Sequence, residues 1–221
     1  MIELDFRAAN RRPPRFMFIG AHCDDIEIGC GGTVIELTRR HPDATVYWVV
    51  LSSEGERKAE AEEAAAAMLH GVRNRTVIIR NFRGAFFPSE AVAIKEFFEE
   101  LKTTCSPDVV FAHYRDDLHQ DHRIVAELAW NTFRDHVILE YEIPKYDGGL
   151  GSPSVFVPLT ESTVNCKVDL LMRTFRTQLS KRWFTPETFR GLMRLRGIES
   201  NALDGYAEAF YSRKLVLRTM P

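Results

Sequence analysis

Short apolar runs alternate with helix-type segments from Arg15 to Tyr141, and no other feature of the chain limits its fold so strongly. Phe16–Gly20 is an apolar run that ends at glycine and reads as a buried strand. Gly31–Arg40 reads as a helix, with basic residues in its last turn and Pro42 just beyond. Thr45–Leu51 is a strand, Ser53–His70 a helix stopped by Gly71, and Thr76–Ile79 a strand. Ser89–Lys102 follows as a helix, with Val92, Phe97, Phe98 and Leu101 as its core face. Pro107 prevents its continuation, Asp108–Ala112 is the next strand, Asp121–Phe133 a helix and Val137–Tyr141 another strand. Strands alternating with helices imply an α/β fold: a doubly wound, mostly parallel sheet with helices on both faces.

The last third is less regular. Gly148–Pro158 reads as loop with a short extended piece, and Thr163–Leu179 as a helix with Val164, Val168, Leu171, Met172, Phe175 and Leu179 on one face. Pro186–Arg196 is a further helix, and Lys214–Leu217 is expected to close the sheet. Residues 1–14 form a lead-in arm, and 15–221 are expected to form a single domain, since 221 residues fit the usual size of one.

Composition narrows the function classes. A hydrophobic fraction of 45% with 27% charged residues is ordinary for a globular protein. Net charge of −2 argues against a nucleic-acid binder, which carries a basic excess. No apolar run reaches the roughly 20 residues of a membrane span, and Met1–Arg15 lacks the apolar stretch of a signal peptide. Cys23, Cys30, Cys105 and Cys166 are few and scattered, which suits reduced thiols and a cytoplasmic location.

Ligands of doubly wound folds bind outside the carboxyl ends of the strands. Two strongly polar loops follow strands here. Residues 21–32 carry His22, Asp24 and Asp25; residues 113–122 carry His113, His119, Asp121 and His122. These loops hold four of the seven histidines. Imidazole with carboxylate suits Zn²⁺, and also Fe²⁺, Mn²⁺ or Ni²⁺. His22, Asp25 and His122 would supply three ligands and leave a position open for water. Asp24 would then be a spare carboxylate beside the ion, as general-base catalysis requires. His119 would donate to a developing oxyanion, and Asp121 would orient an imidazole. Turn or helix-cap roles also suit Asp24 and Asp25.

The motifs Ala21-His22-Cys23-Asp24-Asp25-Ile26, Gly29-Cys30-Gly31-Gly32 and His119-Gln120-Asp121-His122 resemble those of the PIG-L/LmbE family of metal-dependent N-deacetylases. That family's pattern is Ala-His-Pro-Asp-Asp-Glu, then Gly-Cys-Gly-Gly, and later His-Pro-Asp-His. Weaker resemblance runs from Phe16 to Leu179 and takes in the Ser52–Arg57 loop and the Phe175–Gln178 stretch. The resemblance implies an LmbE-like, Rossmann-like fold, with His22, Asp25 and His122 as zinc ligands and Asp24 as general base. It implies His119 as oxyanion stabiliser or acid with Asp121 as its orienting partner. Arg57 and Arg176, within the resembling stretches, are candidate substrate contacts, and for Arg57 a surface ion pair with a neighbouring Glu is the alternative. It also makes a homo-oligomer an expectation. Cys23 stands where the family has Pro, which places a thiol beside a ligand. Ile26 stands where it has an acid, whose duty Glu27 is expected to share in part.

The implied activity is hydrolysis of an N-acetyl group from an amino sugar, free or linked to a carrier. Asp24 takes the proton of the attacking water, and His119 holds the oxyanion as a charged donor. From Lys167 to Arg196, eight Lys/Arg stand against two Asp/Glu, so a phosphate-binding patch is weighed against a solvated helix face. Trp183 and Phe184 are candidates to stack on a sugar or base. Two other readings remain: a metal-dependent hydratase of a small dicarboxylate using the same site, and a nucleotide-binding module. Val34 occupies the position of the third glycine of a dinucleotide fingerprint, which weighs against the module. The glycines are instead expected to let the chain turn tightly beneath the metal loop.

Overall fold

The computed structural model describes residues 12–216. The arm expected over 1–14 therefore lies outside the described residues except for Arg12–Pro14, where Arg12 pairs with Asp108.

Seven strands form one sheet in the order β3-β2-β1-β4-β5-β7-β6. The first five, β1 (Arg15–Gly20), β2 (Thr45–Val50), β3 (Asn74–Ile79), β4 (Val109–His113) and β5 (Val137–Tyr141), are mutually parallel. β7 (Tyr206–Ser212) runs antiparallel between β5 and β6 (Val155–Leu159). The mostly parallel α/β sheet expected from the alternation is thus what the chain forms, with the strand order changing direction between β1 and β4.

Side chains of each strand alternate between two cores, as the period of 2 demands. Phe16, Phe18, Val46, Trp48 and Phe111 face helices α1 (Asp25–Arg40), α2 (Glu56–Met68), α5 (Glu161–Thr174) and α6 (Pro186–Ser200). Met17, Ile19, Val49, Val110 and Ala112 face α3 (Phe87–Thr104) and α4 (Gln120–Thr132). Both faces of the central strands are therefore dry, which explains their uninterrupted apolar runs.

Several boundaries move for identifiable reasons. Helix α1 begins at Asp25, not Gly31, and its axis breaks at Cys30, whose φ/ψ of −145°/21° is not helical. The glycines lie inside this kinked helix and act by close approach to the sheet. A Cβ on Gly29 would stand 2.1 Å from the Tyr141 ring, and one on Gly32 would stand 2.6 Å from Leu159. The kink exposes fresh helix N–H groups, and Glu208 of β7 accepts from Gly32 N–H and Thr33 N–H at 2.8 and 2.6 Å. Lys167 of α5 completes this buried cluster, donating to Glu208 and to the Ile28 carbonyl.

The closing strand is Tyr206–Ser212 rather than Lys214–Leu217; Lys214–Val216 is irregular and Leu217 lies outside the described residues. An acid at the centre of β7 hides the strand from a hydrophobicity reading. Helix α5 stops at Thr174 because Phe175 leaves helical geometry, and a short 3-10 turn, Arg176–Gln178, follows. Leu179 is consequently exposed; in α3, Val92 is exposed and Ile94 joins Phe97, Phe98 and Leu101 in the core face.

Gly29→Ala is expected to destabilise the protein by about 1–3 kcal/mol through overpacking against Tyr141. Gly191→Ala, in α6 with nothing near its would-be Cβ, is expected to stabilise it by about 0.5–1 kcal/mol. Urea midpoints of the two variants check both signs.

Candidate metal centre

The change of direction between β1 and β4 leaves a crevice at their carboxyl ends, and both polar loops open into it. His22 lies in the turn after β1, and Asp25 opens α1. His119 caps α4, and His122 sits in its first turn.

Three donor atoms converge. His22 Nδ1 lies 3.2 Å from His122 Nε2 and 3.3 Å from Asp25 Oδ2, and His122 Nε2 lies 3.5 Å from Asp25 Oδ1. Ligand atoms on a tetrahedral Zn²⁺ at ~2.0–2.1 Å stand roughly 3.3–3.4 Å apart. The trio therefore has the spacing of an ion's coordination shell and fits a divalent metal.

Each imidazole is aimed by a buried carboxylate on its far nitrogen. Asp121 Oδ2 pairs with His22 Nε2 at 3.0 Å, and Asp117 Oδ2 pairs with His122 Nδ1 at 3.0 Å. A carboxylate only accepts, so it fixes the N–H on the outer nitrogen and leaves the inner lone pair for a metal. Asp121 also accepts from Ala85 N–H (2.6 Å) and Phe87 N–H (3.2 Å), and the Gln120 side chain donates to the Ala85 carbonyl. These bonds hold Ala85 at φ +65°, a region a non-glycine residue rarely adopts. His113, fully buried at the end of β4, stacks on His122 with centroids 3.9 Å apart and accepts from Ala21 N–H at 2.9 Å.

Charges respond to this crowding. Burial pushes Asp25 up, but His122, His113 and His22 pull it well below the ordinary carboxylate range. Burial lowers His22, yet Asp25 and Asp121 raise it to about 10. Burial and His113 bring His122 down to about 3. Burial raises Asp117, while its bond to His122, with Lys145 and His113 nearby, brings it to about 2.

Asp24 stands outside the trio and lines the same cleft. Its carboxylate accepts from Arg57 Nη2 at 2.7 Å, and burial raises its pKa, with Arg57 opposing. Arg57 therefore pairs with Asp24 and not with a neighbouring surface acid. His119 Nδ1 accepts from Asp121 N–H at 3.2 Å, which leaves the proton on Nε2. Burial and the nearby His22 lower the His119 pKa. His119 is thus a neutral donor, in place of the charged one expected. The Asp121 carboxylate orients His22, not His119.

Other expected residues are distributed differently. Arg176 is exposed, pairs with Glu63 and is not among the residues lining the cleft. Cys23 is buried with its thiol toward the Ser52 carbonyl, and burial raises its pKa to about 11, so it remains a neutral thiol. Glu27 is buried, neither oxygen is hydrogen-bonded among the described residues, and burial pushes its pKa well up; it bonds no ligand of the trio. The basic segment disperses: Lys167 pairs with Glu208, Arg190 bonds Asn165, Arg196 pairs with Glu142, and only Lys181 lines the cleft. Trp183 lines the cleft, whereas Phe184 is core.

The cleft has a volume of about 240 Å³. Sequence reasoning missed most of its far wall, Lys145, Tyr146 and Asp147 from the loop after β5; Gln178 after α5 lay in the Phe175–Gln178 stretch but was given no role. The loop after β5 leaves the same sheet edge as the two polar loops, and that position was its one readable signal. Asp117 shares its loop with His122 and was equally readable.

The fold is thus a mostly parallel α/β sheet, and the His–Asp–His cluster at its strand ends could hold a metal ion. The family model described as PIG-L, GlcNAc-PI de-N-acetylase, matches residues 17–133, and the chain belongs to this family. Solved structures share the fold. A conserved protein of Thermus thermophilus superposes with a TM-score of 0.71 at 21% identity, covering 92% of this chain and 96% of that one. The N,N'-diacetylchitobiose deacetylase of Pyrococcus horikoshii gives 0.67 at 20% identity, with 90% and 83% covered. The 4-carboxy-2-hydroxymuconate hydratase of Pseudomonas putida gives 0.67 at 14% identity, with 94% and 100% covered. Among the described residues, no helix is long and apolar enough to cross a membrane.

In the metal-free protein the two ligand imidazoles together favour a pH near 6.5. His22 is raised from 6.5 to about 10, so its contribution is complete below 6.5 and is lost as pH rises toward 10. His122 is lowered to about 3, so the unfolded chain binds its proton first and stability falls from pH 6.5 toward 3. Asp117 adds a loss below about 3.8, completed near 2. Denaturant midpoints from pH 2 to 10 in chelator measure this; a profile flat above 6.5 contradicts the His22 environment.

Proposed function

We propose that the protein is a metal-dependent hydrolase that removes the N-acetyl group from an amino sugar or its conjugate. The observation that carries this reading is Asp24: a buried carboxylate beside the ligand trio, left out of it, and raised in basicity by burial. His22, Asp25 and His122 would hold the ion, and their mix of two imidazoles and one carboxylate suits Zn²⁺, with Fe²⁺, Mn²⁺ or Ni²⁺ as substitutes. When bound, such an ion supplies Lewis acidity, acidifying water and polarising an acyl carbonyl.

The chain's own groups do the rest. Asp24 accepts the proton of the attacking water, with its other oxygen fixed by Arg57. His119, held by the Asp121 amide, presents Nε2–H to the oxyanion of the tetrahedral intermediate. The proton on Asp24 then passes to the departing amine as its C–N bond breaks, so the amide and one water become acetic acid and the amine. Trp183 and Tyr146 line the cleft as surfaces for a sugar ring. All four cysteines are free thiols, in keeping with the proposed cytoplasmic location. Arg176 has no role in this scheme.

The ligand trio also suits water addition to a dicarboxylate, the hydratase alternative. Arg57 and Lys145 are each paired with a carboxylate of the protein, which leaves Lys181 as the lining cation without an acidic partner among the described residues. One such cation favours a substrate of low charge and hence the amide.

Asp24→Asn is expected to retain zinc at the wild-type stoichiometry and lose about 10²–10⁴-fold in kcat. His119→Ala is expected to lose about 10²–10³-fold, and His122→Ala to lose the metal. Elemental analysis and amine release from N-acetyl sugars measure these effects. Full activity in Asp24→Asn, or turnover of an unsaturated dicarboxylate but of no amide, overturns the assignment.

A further inference from the structure

The loop between β5 and β6 forms the far wall of the cleft, and one buried lysine fastens it to the metal centre. Lys145 Nζ donates to Asp117 Oδ2 at 2.7 Å, to the Ile143 carbonyl at 3.1 Å and to the Gly148 carbonyl at 3.2 Å. Its side chain is only 7% exposed. The same Asp117 oxygen accepts from His122 Nδ1 at 3.0 Å, and the other oxygen accepts from His119 N–H at 2.7 Å. The ammonium thus closes the loop on itself and ends on the carboxylate that aims His122. A second contact seats the loop beside the first. Gly149 has φ +95°, and a Cβ there would stand 3.2 Å from Leu118 N. Tyr146 and Asp147, next to the lysine, line the cleft, and Tyr146 is 72% exposed.

Resting on the metal-centre reading above, we propose that Lys145 is a positioning residue that couples the substrate-facing loop to the metal ligand His122 through Asp117. Two donors on one carboxylate oxygen must share its lone pairs, so each restricts where the other can sit. An ion that fixes the His122 ring fixes Asp117, and Asp117 fixes the loop. Coupling of this kind is reciprocal: whatever orders the loop also tightens metal binding by the same factor. Loss of Lys145 leaves Asp117 held only by the His119 amide and the imidazole it aims, and weakening of such an outer partner typically costs about 10–100-fold in metal affinity.

The test uses the full chain, stripped of metal and titrated with Zn²⁺ against a chromogenic chelator. Lys145→Met is expected to weaken zinc binding about 10-fold or more, with circular dichroism reporting a native fold. Lys145→Arg, which keeps the charge but cannot place one nitrogen against all three acceptors, serves where Met does not fold and is expected to give a smaller loss. In the Asp117→Asn background, Lys145→Met is expected to add nothing, since the relay is already broken. Chymotrypsin gives a readout independent of catalysis. Zinc is expected to slow cleavage after Tyr146 in the wild type and to have no effect on it in Lys145→Met. Wild-type zinc affinity in both Lys145 variants, additive losses in the double variant, or zinc-independent cleavage of the wild type overturns the proposal. His122→Ala separates the two readings. If it binds zinc normally, the metal centre itself is wrong; if it loses zinc while Lys145→Met does not, only the coupling falls.

Discussion

The carboxylate of Asp121 ties together loops that follow three different strands. It is fully buried, sits in the first turn of α4, and accepts from His22 after β1 and from Ala85 and Phe87 between β3 and α3. A buried charge is tolerable only when its acceptor sites are filled. Here every partner is a group whose position the site needs fixed. The imidazole is turned so that Nδ1 faces the cleft, and the backbone at Ala85 is held in a strained conformation close by. Asp117 repeats the arrangement on the other imidazole. Two carboxylates outside the trio thereby decide which way its two imidazoles face.

The same logic anchors the C-terminal part. Glu208 caps the second half of the broken helix α1 while pairing with Lys167, and Glu142 receives Arg196, Tyr211 and the Gly151 amide. Each pair joins α5 or α6 to the sheet edge or to the loop after β5. Removing one partner of a buried pair typically costs about 3–5 kcal/mol, because the other charge stays behind unpaired. These contacts seat Gln178, Lys181 and Trp183 over the crevice that the central strands create. Without them the His–Asp–His cluster would lie on an open sheet edge instead of at the base of a cleft.

Periodicity in the sequence settled much of this protein. Apolar runs buried on both faces suit central parallel strands, so β1, β2, β4 and β5 were legible, and so was the sheet edge on which the two polar loops meet. His22, Asp25, His122 and Asp24 could be singled out as candidates because ligand chemistry restricts residue type and both loops leave that edge, and the fold brings the first three together. Tertiary structure alone decided the rest. Arg57 bonds Asp24 and Arg176 faces a surface glutamate, although the two arginines look alike in sequence. Asp121 serves His22, 99 residues away, and not the histidine beside it. Glu208 sits in a strand that no hydrophobic pattern reveals, because its charge is balanced by Lys167 and two helix amides distant in the chain. Local sequence specifies where the backbone can bury apolar surface. Which buried charge meets which partner depends on contacts closed across the sheet, and those exist only once the chain has folded.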